Sequence, residues 1–167
     1  MIIRRAAETD LPAIGALYRE ARKALGQAGV DQWQGEYPNE DSAREDMARG
    51  WCYVAEDQGR VVGTACLGFG QDPTYDVIEQ GGWQSTGDYG FLHRAAVSAS
   101  AKGKGIAPMF FQELVGQARA RGVGAIRGDT HRDNQPMRRV MEKCGLEYRG
   151  IIYAEDGTAR MAYERVL

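Results

Sequence analysis

Hydrophobic residues follow two different spacings along this chain, and together they predict a fold that mixes helices and strands. In residues 11–25 apolar side chains recur at steps of three and four, which indicates a helix with one buried face. The same spacing returns in residues 106–121. Runs rich in β-branched and aromatic residues, such as residues 61–69 and 89–97, predict strands instead.

The predicted elements follow the order β-α-α-β-β-β-α-β-α-β-β. The strands are residues 2–6, 51–56, 61–69, 89–97, 125–130, 146–153 and 158–166, and the helices are residues 9–25, 41–49, 106–121 and 133–144. Without a repeat or a linker, this pattern predicts one α+β domain over residues 1–167. Its central sheet is mixed and mostly antiparallel, with helices on its faces.

The composition narrows the choice of partners. The 167 residues are 43% hydrophobic and carry a net charge of −2, which argues against a nucleic-acid-binding protein. Three widely spaced cysteines make a poor disulfide framework and a poor metal set, so we expect a reducing cytoplasm and no metal. With no signal-like start and no run of about 18 apolar residues, we expect no membrane partner.

A glycine turn between the fourth predicted strand and the third predicted helix is the strongest candidate for a binding site. It consists of Lys102, Gly103, Lys104, Gly105, Ile106 and Ala107. Glycines allow a close approach of the backbone, and the free N–H groups at a helix start attract anions such as phosphate. The turn matches neither the Walker A loop nor the Rossmann fingerprint, since it lacks the Gly-Lys-Ser/Thr ending of the first and the third glycine of the second.

Two motifs together with the element order resemble the GCN5-related N-acetyltransferases, the GNAT family. Lys102-x-x-Gly105-x-Ala107 is similar to the family's Gln/Arg-x-x-Gly-x-Gly/Ala, with lysine as a departure at the first position. The segment from Asn134 to Leu146 is similar to the family's later Asn-x-x-Ala-x-x-Leu-Tyr-Glu-Lys-x-Gly-Phe motif. The resemblance covers essentially the whole chain and is weakest in residues 26–51 and 70–88.

This resemblance implies a sheet whose fourth and fifth strands splay apart, and acetyl-CoA as the acetyl donor. The pantetheine arm is then expected to pair with the backbone of Ala95, Ala96 and Val97. The amides of the glycine turn, Lys102 to Ala107, are expected to hold the pyrophosphate, and Asn134 is expected near the pantetheine and sulfur.

The catalytic groups are harder to assign, because the motif places Met141 where many relatives have a tyrosine acid. His93 on the fourth strand, and Asp129 and His131 at the end of the fifth, are the candidates for acid, base or amine binding. A hydrogen-bonded strand histidine and a loop cap before the Asn134 helix are the structural alternatives. Tyr89 and Tyr153 are alternative acids, and core packing is the simpler interpretation of both.

The acceptor is expected to contact aromatic residues in the two long loops, which are Trp33, Tyr37, Tyr75 and Trp83. An aromatic face suits a cationic amine, although each of these residues also suits ordinary packing or a homodimer contact. The sequence therefore predicts acetyl transfer to the amine of an unidentified small molecule, peptide or protein. Two alternatives stay open: a catalytically weak acetyl-CoA sensor, and an acyltransferase using a longer acyl-CoA.

Overall fold

The computed structural model describes all residues from Met1 to Leu167, and it contains the predicted elements in the predicted order. The strands are β1 (Ile2–Arg5), β2 (Cys52–Asp57), β3 (Arg60–Gly70), β4 (Tyr89–Val97), β5 (Ala125–Thr130), β6 (Glu147–Tyr153) and β7 (Ala159–Val166). The helices are α1 (Leu11–Gln27), α2 (Glu40–Ala48), α3 (Ile106–Ala120) and α4 (Gln135–Lys143). None of these helices has the length and apolar composition needed to span a bilayer.

The seven strands form a mixed sheet in the order β1-β2-β3-β4-β5-β7-β6, which confirms the predicted α+β class. β2 lies antiparallel to β1 and β3, and β7 lies antiparallel to β5 and β6. β4 and β5 are parallel, with a register that runs from Gly90 opposite Ile126 to Leu92 opposite Gly128. This register covers only the start of the nine-residue β4, as the expected splay of these two strands requires.

The chain divides into two compact units. The first comprises Met1–Leu67 and His93–Phe110, and the second comprises Gly68–Leu92 and Phe111–Leu167. The prediction of a single domain over residues 1–167 stays a prediction.

The core of the first unit explains the helical spacing in the sequence. The apolar face of α1 packs against α2, β2 and the end of β4, and the buried cluster consists of Leu11, Ile14, Leu17, Tyr18, Ala43, Cys52, Val54 and Ala96. Asn39 begins α2 as its N-cap, since its side chain accepts a hydrogen bond from the Ser42 N–H at 3.0 Å. Burial of the α1 stripe thus decides which way that helix faces.

A buried ion pair connects α2 to β4 in the same unit. Arg94 donates from Nε and Nη2 to the two carboxylate oxygens of Asp46, both at 2.7 Å, and the Asp46 side chain is 3% exposed. Arg94 also has a φ of +49°, a left-handed conformation that is unusual for a residue with a side chain. Burial alone would lower the pKa of Arg94, but the bonds to Asp46 raise it above its usual value. The pair therefore holds an irregular residue inside the strand.

Asp46→Ala should lower the free energy of unfolding by about 3–5 kcal/mol, because it leaves the Arg94 charge buried without its partner. Asp41→Ala on the same helix is the matched control, since Asp41 pairs with Arg44 while its side chain is 86% exposed. We expect only a small change for that control. Urea unfolding of the two variants measures the difference, and equal losses would contradict a special role for Asp46.

Candidate functional site

The glycine turn adopts the backbone geometry that its sequence requires. Gly103 and Gly105 have φ values of +77° and +71°, in the left-handed region that favours glycine. A Cβ added to either glycine would meet no atom within 4 Å, so backbone conformation and open space, rather than crowding, distinguish these positions. The N–H of Lys102 donates to Ala99 O at 3.1 Å and that of Lys104 to Ala101 O at 3.4 Å, which closes the turn locally.

The start of α3 supplies the amide donors of this site. Its first intrahelical bond runs from the Met109 N–H to Gly105 O at 3.1 Å. A helix cannot pair its first N–H groups internally, and here these belong to Gly105, Ile106 and Ala107, since Pro108 has none. The Lys102 and Lys104 side chains are exposed beside them. Adjacent amides, a helix dipole and two ammonium groups fit the charge of a pyrophosphate.

The end of β4 leads into this turn within the same unit. Ala96 is buried, whereas Ala95, Val97 and the predicted catalytic His93 are half-buried. The Ser98 N–H donates to Val62 O at 2.8 Å, so β4 ends against β3. The predicted pairing of residues 95–97 with pantetheine stays a proposal, as does the catalytic role of His93.

Trp33 and Tyr37, two of the predicted acceptor contacts, also belong to the first unit. Trp33 packs against the α1 core with its ring 6.0 Å from that of Tyr18, and its carbonyl oxygen accepts from Arg22 Nε at 2.9 Å. Tyr37 is 52% exposed, and its hydroxyl accepts from Arg94 Nη1 at 2.6 Å. Trp33 thus has a packing role, while Tyr37 presents an aromatic face at the surface.

In the second unit, Met141 fills the place that the family motif gives to tyrosine. It is 3% exposed, and its sulfur lies 3.5 Å from where a Cβ on Gly128 would be. Leu92 O lies 3.6 Å from the same point. Met141 therefore packs over β5 beside β4, and a buried thioether has no proton to donate.

Asn134 and His131 form a cap at the start of α4. Asn134 Oδ1 accepts from the Met137 N–H at 3.3 Å, and the Asn134 N–H donates to His131 O at 2.9 Å. His131 Nδ1 accepts from the Asp133 N–H at 3.1 Å. A neutral His131 therefore carries its proton on Nε2, which makes that nitrogen a hydrogen-bond donor. His131 thus contributes to the loop before α4, and its catalytic role stays a prediction.

Asp129 contacts Tyr75, a predicted acceptor residue that in turn contacts a second one, Trp83. The buried Tyr75 hydroxyl donates to Asp129 Oδ1 at 2.7 Å, while Trp83 Nε1 donates to Tyr75 O at 2.9 Å. The ring of Tyr75 lies 5.3 Å from the ring of Trp83. Burial and the Asp129 charge raise the pKa of Tyr75 well above its usual value, so its phenol stays protonated.

The two tyrosines named as alternative acids have other partners. The Tyr89 hydroxyl accepts from the Asp72 N–H at 2.7 Å, at the start of the long loop. Tyr153 is exposed and donates to Glu79 Oε2 at 2.9 Å, and this bond raises the pKa of its phenol. Both hydroxyls thus fasten residues 71–88 to strands.

A buried ion pair that sequence reasoning missed holds the same loop. Arg127 Nε donates to Glu164 Oε2 at 2.9 Å, and the Arg127 guanidinium lies 4.1 Å from the Trp83 ring centroid and 3.9 Å from that of Tyr89. Ser85 Oγ and the Gln84 N–H donate to the Glu164 carboxylate at 2.6 and 2.7 Å. The sequence signal for this pair is a charged residue inside each of two strand-like runs, Arg127 in the first and Glu164 in the second.

Glu164→Gln should destabilise the protein most above about pH 5. Burial tends to raise the pKa of Glu164, but the bonds from Ser85, Gln84 and Arg127 outweigh it and hold that pKa below its ordinary 4.5. A depressed carboxyl pKa contributes stability above the unfolded value, which is lost as pH falls through the folded pKa. The difference in unfolding free energy between Glu164→Gln and the unmodified protein should therefore shrink towards pH 3.

Urea unfolding at pH 7 and at pH 3 measures that difference. Glu147→Gln is the control, since Glu147 pairs with Arg149 on β6 while its side chain is 71% exposed. We expect a small effect of this control at both pH values. A Glu164→Gln loss that stays constant with pH would contradict the charge argument.

Comparisons with a protein-family model and with solved structures point to the same family. The model of the acetyltransferase (GNAT) family matches residues 14–146. A solved GNAT-family acetyltransferase from Streptococcus agalactiae is 31% identical, with a TM-score of 0.92 over 99% of this chain and 95% of that one. No curated protein matches the chain in a sequence comparison.

Two more distant structures share the fold alone. A ribosomal-protein-alanine N-acetyltransferase from Brucella melitensis is 23% identical, with a TM-score of 0.71 and full coverage of both chains at 100%. A phosphinothricin acetyltransferase from Sinorhizobium meliloti, solved in complex with acetyl-CoA, is 21% identical with a TM-score of 0.69, covering 99% of this chain and 88% of that one.

Proposed function

The chain belongs to the GNAT family of acetyltransferases, and from that premise we propose that it transfers the acetyl group of acetyl-CoA directly to a primary amine. The acceptor amine belongs to a small molecule, a peptide or a protein. A cytoplasmic location and a homodimer belong to the same proposal.

The observation that carries this proposal is the glycine turn at the start of α3. Gly105 has a φ of +71° directly before the first helical residue, Ile106. The amides of Gly105, Ile106 and Ala107 are the ones that the helix leaves without internal acceptors. A donor with a pyrophosphate group suits this turn, and the structure of the Sinorhizobium meliloti relative was solved with acetyl-CoA.

The reaction requires one bond to form and one to break. The amine nitrogen bonds to the acetyl carbon, the carbon–sulfur bond breaks, and the sulfur leaves as the CoA thiol. An ammonium substrate gives up two protons in total, one to a base and one that balances the departing thiolate. We propose Asp129 as the base, His131 as an acid or base, and His93 as an alternative base.

The remaining site residues would orient the donor. The backbone of Ala95, Ala96 and Val97 is proposed to pair with the pantetheine arm. Asn134, the N-cap of α4, is proposed to contact the same arm. Tyr37 is proposed as an acceptor contact at the surface of the first unit.

A sensor that binds acetyl-CoA with little turnover is the second candidate. The buried Met141 favours it, since the family tyrosine that would protonate the thiolate is replaced by a packing group. Calorimetric titration with acetyl-CoA, CoA and longer acyl-CoAs, followed by an assay of CoA thiol release with primary amines, separates the two. Micromolar binding with turnover supports the enzyme, binding without turnover supports the sensor, and no binding refutes both.

Gly105→Val should weaken acetyl-CoA binding at least about tenfold, because the side chain would cover the amides at the helix start. Gly59→Val in the β2–β3 turn is a matched control. Gly59 has a similar φ of +73° and equally open surroundings, so its substitution introduces the same backbone strain. Calorimetry should give unchanged affinity for that control. Normal binding of acetyl-CoA by a folded Gly105→Val variant would refute the glycine turn as the pyrophosphate site.

His131→Ala should lower kcat by about tenfold or more if His131 transfers a proton during the reaction, while the Kd for acetyl-CoA changes little. His93→Ala is tested beside it as the alternative. Steady-state assays of thiol release with a primary amine measure both. Unchanged turnover in the two variants would move the proton transfers to a carboxylate or to water.

A further inference from the structure

Asp129 occupies a distinctive position in the sheet of the second unit. It directly follows Gly128, the residue at which the parallel register with β4 ends. On its other side β5 stays paired with β7, where Asp129 lies opposite Ala162. The half-buried Asp129 carboxylate therefore lies where β5 is still paired with β7 but is no longer paired with β4.

Tyr75 is fixed against this carboxylate from several sides. It is 1% exposed, its ring packs 5.3 and 5.9 Å from the rings of Trp83 and Tyr89, and its carbonyl oxygen accepts from Trp83 Nε1. It ends a short 3-10 turn, Pro73–Tyr75, that Asp72 caps by accepting from the Thr74 N–H at 2.9 Å. The confined phenol donates to Asp129 Oδ1 at 2.7 Å.

We propose that Tyr75 is a positioning residue for Asp129: its buried hydroxyl orients the carboxylate so that Asp129 takes a proton from the ammonium group of the acceptor. The inference rests on the proposed acetyltransferase function and adds a residue outside the family motifs. An ionised carboxylate has about four lone-pair sites, so the bond from Tyr75 does not exhaust its capacity to accept. In the step, the ammonium becomes a neutral amine, the carboxylate becomes a carboxylic acid, and solvent later takes the proton.

Tyr75→Phe tests the proposal, because it removes the hydroxyl and keeps the ring that packs against Trp83 and Tyr89. The probes are acetyl-CoA with benzylamine, cadaverine and an alanine-initiated tripeptide, and the variants are compared on the probe that the unmodified protein acetylates fastest. We expect kcat to fall about tenfold, a smaller change in KM for the amine, and a Kd for acetyl-CoA within about twofold of the original.

The decisive comparison repeats Tyr75→Phe in an Asp129→Ala background. If Tyr75 acts through Asp129, Tyr75→Phe should cause no further loss of kcat in that background, since two residues that act as one unit give non-additive effects. Tyr163→Phe is the matched control in the same unit, because its buried hydroxyl accepts from Arg138 Nε at 2.9 Å. We expect that variant to keep its turnover within about twofold, whereas a general loss of rigidity would affect it as well.

The role of Tyr75 would be overturned if Tyr75→Phe kept full turnover, or if it lowered kcat equally in the unmodified protein and in the Asp129→Ala variant. Either result would leave the acetyltransferase function standing. If the unmodified protein binds acetyl-CoA and acetylates none of the three amines, the role of Tyr75 falls while the acetyl-CoA assignment stands. If it does not bind acetyl-CoA at all, the proposed function itself is refuted.

Discussion

The geometry of the second unit depends on the requirement that a buried charge be paired. Glu164 is fully buried on β7, and its carboxylate is costly to bury unless strong donors surround it. Arg127 from β5 and the Ser85 and Gln84 groups of the long loop meet that need. The loop is thus tied to the sheet by charge. That loop also carries Tyr75, whose phenol donates to Asp129, so the Glu164 ion pair helps to hold the segment on which Tyr75 lies.

In the first unit, the ion pair of Arg94 with Asp46 offsets a different cost, that of an unusual backbone conformation. Arg94 occupies a left-handed backbone conformation inside β4, which costs about 1–2 kcal/mol for a residue with a side chain. Two bonds to Asp46 and one to Tyr37 engage all three nitrogens of its guanidinium and offset that cost. The strand expected to contact the acetyl donor is therefore irregular at a residue whose side chain is locked. Regular alternation in β4 is interrupted at that residue.

Local signals made the elements predictable, while distance along the chain concealed the contacts of the site. Helical spacing in α1, the β-rich runs and the place of the glycine turn between a strand and a helix are read within a few residues, and the structure contains all three where they are predicted. Arg127 and Glu164 are 37 residues apart, Asp46 and Arg94 are 48 apart, and Tyr75 and Asp129 are 54 apart. Each pairing depends on how elements far apart in the chain come together, which periodicity does not give. The position of Asp129 at a strand end makes it a candidate from the sequence alone, whereas its bond to Tyr75 is visible only in the structure.

The proposed reaction needs two proton transfers, one to the leaving thiolate and one from the acceptor ammonium. The replacement of the family tyrosine by Met141 affects only the first of them. A thiol with a pKa near 8.5 is a tolerable leaving group as its thiolate, and protonating it at neutral pH is worth only about 2 kcal/mol. An alkyl ammonium with a pKa near 10.4 must lose its proton before its nitrogen can attack, which costs about 4–5 kcal/mol at pH 7. The missing acid therefore removes the smaller contribution, and the demand on a base is the greater one. In the proposed mechanism Tyr75 orients the Asp129 carboxylate at the end of β5, and this carboxylate would serve the larger of the two needs.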